Sequence, residues 1–503
     1  MVALAGFGLS RVPTGFIPNE DQGYLMVIVQ LPDAASLHRT GDAMAKMAAE
    51  VHKVPGVDHL ISIGGVSPLD NNASLANAGI LYVVLKPWEE RAAIEGGDLR
   101  SIYADLQRRL RAIPEASALI TVPPPIPGLG LSGGFQLQTE LTDGRLDYDR
   151  LHAITERIAE RAAKEPSIAQ AFTPFRANAP QLAVHVDRAR AEALNVAPGD
   201  VFDALQSYLG SSYASQFTRF GQTLTVFVQA DEPYRRSAEA IGRLAVRSRA
   251  GAMVPLSAIA DVTHTTGPAI VSLYNLFPSA SVNGATAPGY SSGQSIAALE
   301  RIAAEVLPSG TAFEWTGMAY QEKIAGSAAL LIFALSIILV YFVLAGQYES
   351  WITPLAVVGS VPLALLGTVG VLLLVGLPNN IYVQIGLVLL IALSAKNAIL
   401  IVEVARELRT DGHTIVAAAL EAARVRLRPI LMTSFAFILG VLPLVLASGA
   451  GAAARKSIGI AVFSGMLAST CLALLFVPAL FVVLQRFSER RASGSEEATA
   501  CAS

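Results

Sequence analysis

The stretch LVLLIALSAKNAILIVEVA, residues 387–405, decides how the chain reads, because it sets one ammonium, Lys396, inside an apolar run long enough to lie in lipid. On insertion scales a lysine at the centre of a membrane helix costs about 2.5–3.5 kcal/mol, so such a residue faces a partner or reaches an interface. The run continues through 397–402 beyond the lysine, which weighs against its simply reaching the aqueous edge. Working outward, similar runs cover Ser327–Ala345, Leu355–Leu377, Ile381–Val404, Pro429–Leu446 and Ile458–Leu484. Each is near the ~20 residues that cross a bilayer, and a soluble helix of that length would carry a polar face. Residues 326–486 are therefore expected to form an all-α bundle of five membrane spans, with 487–503 as a cytoplasmic tail.

Composition narrows the function. Of 503 residues 52% are hydrophobic and only 15% charged, so part of the chain belongs in lipid. The net charge of −3 supplies no basic surplus for a phosphate backbone, and no nucleic-acid partner is expected. Two cysteines, Cys471 and Cys501, cannot build a disulfide framework or a thiolate metal site. The seven histidines lack ligand spacing, and no G-x-x-x-x-G-K-[ST] loop is present to hold ATP.

Arginines set the orientation. Arg406, Arg409, Arg424, Arg426 and Arg428 crowd the expected connection before the fourth span, and Arg486, Arg490 and Arg491 follow the last. By the positive-inside rule both segments face the cytoplasm, with Arg455 and Lys456 opposing but not reversing the count. An odd number of spans then puts residues 16–325 on the far side. Met1–Leu9 is apolar but too short to span and has no basic leader, so residues 1–15 read as the outer end of a truncated membrane helix.

Between 16 and 325 a pattern repeats. A strand at Gly23–Leu31, a helix at Ala35–Val54 and a strand at Val57–Gly64 precede a strand at Ala78–Leu85, a helix at Leu99–Ile113 and a strand at Ala118–Val122. The order recurs in Phe135–Leu141, Asp147–Lys164 and Ile168–Phe175, and, after an interruption, in Ala280–Ala285, Ser292–Val306 and Thr311–Thr316. This is a doubled split β-α-β, the ferredoxin-like arrangement, and the fold class is α+β followed by the all-α bundle. The expected divisions are 16–133 for the first unit, 134–179 with 280–325 for the second, and an inserted subdomain at 180–279.

Few residues can carry chemistry. Lys396 leads. Thr433 lies within the apolar part of the next span, where it either returns its hydroxyl to the preceding turn or relays a hydrogen bond opposite Lys396. Glu403 and Arg406, one turn apart, read as interfacial. The spans hold no carboxylate at mid-membrane depth, so a proton relay would have only its cationic half here. Met26, Ile28, Tyr82, Phe135 and Leu137 on early strands line a greasy cleft between the two units or serve as plain core. Residues 64–68 (GGVSP) read as a flexible loop, a gate or a simple turn.

Five segments carry a resemblance: GFIPNEDQGYLMVIVQLP (15–32), PSASVNGATAPGYSSG (278–293), WTGMAYQE (315–322), LSAKNAILIVEVA (393–405) and RLRPILMTSFAFILGVLPL (426–444). In this order they are similar to the C-terminal half of the resistance-nodulation-division multidrug efflux transporters, of the hydrophobe/amphiphile class. The resemblance implies porter subdomains, an inserted docking subdomain that helps form a funnel, and a multi-pass protein of the bacterial inner membrane with a large periplasmic domain. It implies that Lys396 pairs with two membrane aspartates of the N-terminal half, and that Arg426 and Thr433 complete the relay.

It further implies no cofactor beyond the proton gradient, and drug:proton antiport rather than enzymatic catalysis. The partners it implies are the N-terminal half, a homotrimer in the intact pump, a periplasmic adaptor, an outer-membrane channel and amphiphilic small molecules. Met26, Tyr82, Phe135 and Leu137, with Ile28 beside them, fall where the family lines its drug pockets. Ile61, Val66 and Pro68 stand where well-studied members carry phenylalanines, and Phe220 where a pocket arginine is common. The alternatives are a membrane-anchored periplasmic binding or assembly module without proton flux, and a related lipid exporter or translocation accessory. On its own the chain is expected to be inactive.

Overall fold

The computed structural model describes residues 2–130 and 134–500. Met1, the stretch 131–133 that closes the first expected unit, and 501–503 with Cys501 lie outside the described residues.

The chain begins with α1 (Val2–Arg11), followed by β1 (Tyr24–Gln30), α2 (Leu37–Val51), β2 (Val57–Ser67) and β3 (Ala73–Leu85). Then come the short α3 (Trp88–Ala92), α4 (Leu99–Arg111) and β4 (Ser117–Thr121). Their sheet has the order β2-β3-β1-β4, all neighbours antiparallel, which is the ferredoxin-like order. Local chemistry starts each helix. Ser36 accepts from the Arg39 N–H ahead of α2, and Asp98 from the Ser101 N–H ahead of α4. Stripes at helical spacing, Met44, Met47 and Val51 on α2 and Ile102, Leu106 and Leu110 on α4, then cover Leu25, Val27 and Val29 on one face of β1.

The second unit repeats the plan with β5 (Phe135–Leu141), α5 (Tyr148–Ala162) and β6 (Ile168–Phe172). After an interruption come strands Phe277–Thr286 and Thr311–Thr316, which with β6 and β5 reproduce the strand order of the first sheet.

The interruption folds as a compact unit of its own, Phe175–Val271, where the sequence reading put the insertion at 180–279. It contains β7 (Ala179–Val186), α6 (Arg188–Ala193), α7 (Pro198–Leu205), the hairpin β8 (Ser212–Arg219) and β9 (Gln222–Val228), α8 (Ala238–Gly242), β10 (Ala245–Arg247), β11 (Met253–Pro255) and β12 (Ala260–Gly267). Its core gathers Val201, Leu256 and Ile259, and β7 pairs with β12 at its two ends in sequence.

The main unit resumes with β13 (Ser272–Tyr274), β14 (Phe277–Thr286), α9 (Ser292–Val306) and β15 (Thr311–Thr316). Ser291 and Gln294 close a reciprocal capping box at the start of α9. Leu137, Val282 and Trp315 pack beneath α5 and α9 against Ile158, Leu299 and Ile302.

Strand β15 runs straight into α10 (Gly317–Tyr348), and the chain ends in α11 (Thr353–Val358), α12 (Val361–Val375), α13 (Ile381–Thr410), α14 (Ile415–Val445) and α15 (Ala452–Ala500). Among the described residues, five helical segments are long and apolar enough to cross a membrane, the second formed by α11 and α12 together with a break at Gly359 and Ser360. The helices overrun the expected spans at most ends. The clearest correction concerns the arginines: Arg424, Arg426 and Arg428 sit inside α14, and the connection to α13 is only Asp411–Thr414. Thr414 caps α14 through the Ala417 N–H, so the helix starts well before its apolar part. Helices approach closely where side chains are absent: a Cβ on Gly367 would collide with Ala468.

A hydrogen bond from α15 ties the mixed region to the bundle. Glu20, just before β1, accepts from the Ala454 N–H in the first turn of α15 at 3.0 Å. Its neighbour Asp21 pairs with the buried Arg91 of α3 at 2.7 Å.

Candidate functional site

Lys396 sits near the middle of α13. Its neighbours Ala395, Asn397 and Ala398 are buried against the rest of the bundle, whereas Lys396 lies with Ile385 and Leu389 on the exposed stripe. Among the described residues it makes no hydrogen bond or ion pair. Arg426 continues a buried i, i+4 row on α14 (Ala418, Ala422, Ile430, Ser434), is itself half-buried, and leaves its Nε without a partner. Thr433 is exposed and returns its hydroxyl to the Ile430 carbonyl at 3.1 Å, the local bond expected of a helical threonine. No bond joins the three residues to one another. Arg406, read as interfacial, donates to the Tyr348 carbonyl and lies 5.6 Å from the Tyr348 ring centroid.

The second feature is a narrow cleft between the two ferredoxin-like units, about 440 Å³ counting the solvent it opens onto. Strand pairing explains its walls. On the face of the first sheet turned away from α2 and α4, the register aligns Ile63, Ile80, Ile28 and Leu119 in one row and Ile61, Tyr82, Met26 and Thr121 in the next. On the outer face of the second sheet Gln136, Asn283 and Phe172 align. Ile28 and Phe135 line the cleft, together with Gln136, Gln170, Asn283 and Met318, on which the sequence analysis places no role. The alternation Gln136, Gln138, Glu140 along β5 signalled a polar face. What that face met depended on the register.

Several expected residues lie elsewhere. Leu137 is fully buried in the core beneath α5 and α9, since it shares Phe135's side of β5 but sits one pair further into the sheet. Leu137→Ala is accordingly expected to destabilise the chain by about 2–5 kcal/mol without changing the cleft, as thermal unfolding in detergent would show; a shift under about 1 kcal/mol would contradict the core placement. Met26, Ile61 and Tyr82 share the outer face of the first sheet but not the cleft lining, and Ile61 is 54% exposed. Val66 belongs to no loop: residues 64–67 extend β2, bulged between Gly64 and Val66, with Gly65 at φ +84°. A 3-10 turn at Pro68–Asp70, followed by Asn71 and Asn72 at positive φ, then leads into β3. Phe220 is in the inserted unit, 88% exposed at the tip of the β8–β9 hairpin, with the Arg219 guanidinium over its ring.

One buried carboxyl is electrostatically loaded. Glu140 on β5 is almost fully enclosed, and its Oε1 has no hydrogen-bond partner. Burial first, and then the Glu314 carboxylate, push its pKa above the usual glutamate range. A raised native pKa means the folded state holds the proton over a window in which the unfolded chain has lost it. Stability therefore falls as pH rises through that window, and the full penalty stands above it. Glu140→Gln is expected to raise the melting temperature at pH 8 and leave it nearly unchanged at pH 4; equal shifts at both would refute the assignment. Among the described residues no group of three or more His, Cys, Asp or Glu is placed to hold a metal.

Among the described residues, an antiparallel α+β region feeding five helices apolar enough to cross a membrane is the architecture of a multi-pass membrane protein. Residues 1–485 match the AcrB/AcrD/AcrF family, and the chain belongs to it, within the resistance-nodulation-division multidrug efflux transporters. It is 39% identical over 476 residues to the multidrug/solvent efflux pump membrane transporter MepB of Pseudomonas putida, covering 94% of this chain and 45% of MepB. It is 37% identical over 485 residues to multidrug resistance protein MdtF of Escherichia coli K12, 95% of this chain and 46% of MdtF. To multidrug export protein AcrF of the same strain it is 38% identical over 483 residues, again 95% and 46%. The chain spans about half the length of the curated relatives it matches.

Proposed function

We propose that this chain supplies the C-terminal half of a proton-driven exporter of hydrophobic and amphiphilic compounds. The observation that carries the reading is Lys396: an ammonium near the middle of a membrane helix, on its exposed stripe, with no ion-pair partner among the described residues. An ion there is stable in lipid only against carboxylates brought by another segment. In this reading the partner is the N-terminal half, whose two aspartates face Lys396, while Arg426 and Thr433 extend the relay. Protonation of the aspartates releases the lysine and shifts the bundle between two packings.

Glu20 on α15 and the direct run of β15 into α10 tie such a shift to the two sheets. The sheets would be periplasmic porter subdomains and Phe175–Val271 a docking unit, in a trimer that meets an adaptor and an outer-membrane channel. Alone, the chain would not transport. The test is co-expression with a matching N-terminal half in a pump-deficient host: dye export should appear only with both halves and collapse on adding a protonophore. Export by this chain alone, or export indifferent to the protonophore, would overturn the proposal.

A further inference from the structure

The cleft between the two sheets has a chemical bias that its family membership does not specify. One wall is aliphatic, set by Ile28 and Leu119; the other presents the carboxamides of Gln136, Gln170 and Asn283. Asn283 spends its Nδ2 on the Ser281 hydroxyl at 3.0 Å, whereas among the described residues the Gln136 and Gln170 side chains make no hydrogen bond. No described residue lining the cleft is charged. Glu322 lines an adjoining cavity that shares Gly134, Phe135 and Met318 with the cleft, and there it accepts from the Ser292 hydroxyl at 2.9 Å.

We infer that this cleft selects uncharged amphiphiles that carry hydrogen-bonding groups, and discriminates against organic cations. A carboxamide offers both a donor and an acceptor, so two free ones opposite an aliphatic wall match a molecule with an apolar body and a carbonyl or hydroxyl edge. A cation entering the same space would shed water without meeting a counter-charge. The cleft is narrow as it stands, so a guest of drug size enters by parting the sheets. This assignment rests on the export reading for its purpose but not for its measurement.

The test uses the full chain in lipid nanodiscs, with fluorescence polarisation of two dyes: Nile red, neutral with a carbonyl acceptor, and rhodamine 6G, a cation. Nile red should bind at least about tenfold more tightly. Gln136→Leu with Gln170→Leu should weaken Nile red about fivefold to tenfold, the loss of one or two hydrogen bonds, and leave rhodamine 6G unchanged. Gln136→Glu should tighten rhodamine 6G instead, which guards against misfolding as the cause of a loss. Equal or tighter binding of the cation by the unsubstituted chain overturns the inference. So does Nile red affinity untouched by the double substitution, or no binding of either dye. If the preference holds while the paired halves export nothing, the export reading falls and the selectivity stands; export with the reverse preference does the opposite.

Discussion

Lys396→Ala is expected to abolish dye export by cells carrying this chain with a matching N-terminal half, down to the level of cells without a pump. Alanine removes the only ammonium of α13's exposed stripe and keeps the helix, since Ala is the best helix former. Lys396→Arg should restore little, because a planar guanidinium cannot follow a compact ammonium between two carboxylates. The isolated chain should respond in the opposite sense. With no partner present, the ammonium costs about 2.5–3.5 kcal/mol in lipid, so the alanine variant should insert at least as well as the parent. Export that survives the substitution would sink the relay. Poorer insertion of the isolated variant would show that the lysine already has water or a partner.

The second large effect is expected at Arg91. Only 4% of its side chain is exposed; it donates to Asp21 at 2.7 Å and through Nε to the Lys86 carbonyl at 2.8 Å. Arg91→Ala strands a carboxylate and a carbonyl at the point where the chain enters β1, and a loss of about 3 kcal/mol follows. Because Glu20, one residue before Asp21, caps α15, the damage should spread: hydrogen exchange should quicken at Ala454 as well as along Tyr24–Gln30. A melting temperature unchanged within about 2 °C, or exchange that quickens in β1 alone, would show that the two contacts act separately.

Much of the architecture was legible before any coordinates. Residues 16–325 alternate at strand and helix periods, and both units form the sheet order that a split β-α-β implies. Helix ends were less legible, as at α14, because a helix does not stop where hydrophobicity does. Its cap, Thr414, lies outside the apolar run. The cleft's lining was less legible: Ile28 and Phe135 line it, whereas Leu137 lies in the core and Phe220 in a different unit, since separation along a strand does not say which face another domain covers.

By itself the sequence determined that this chain enters a membrane and holds an unanswered positive charge there, because both follow from transfer free energies that depend on composition along a segment. Tertiary structure alone decided that Gln136, Gln170 and Asn283 share one wall of a cleft, that Glu20 reaches α15 across 434 residues, and that Lys396 looks outward from the bundle. Those facts depend on strand register and helix rotation, where a shift of one residue turns a side chain from core to surface.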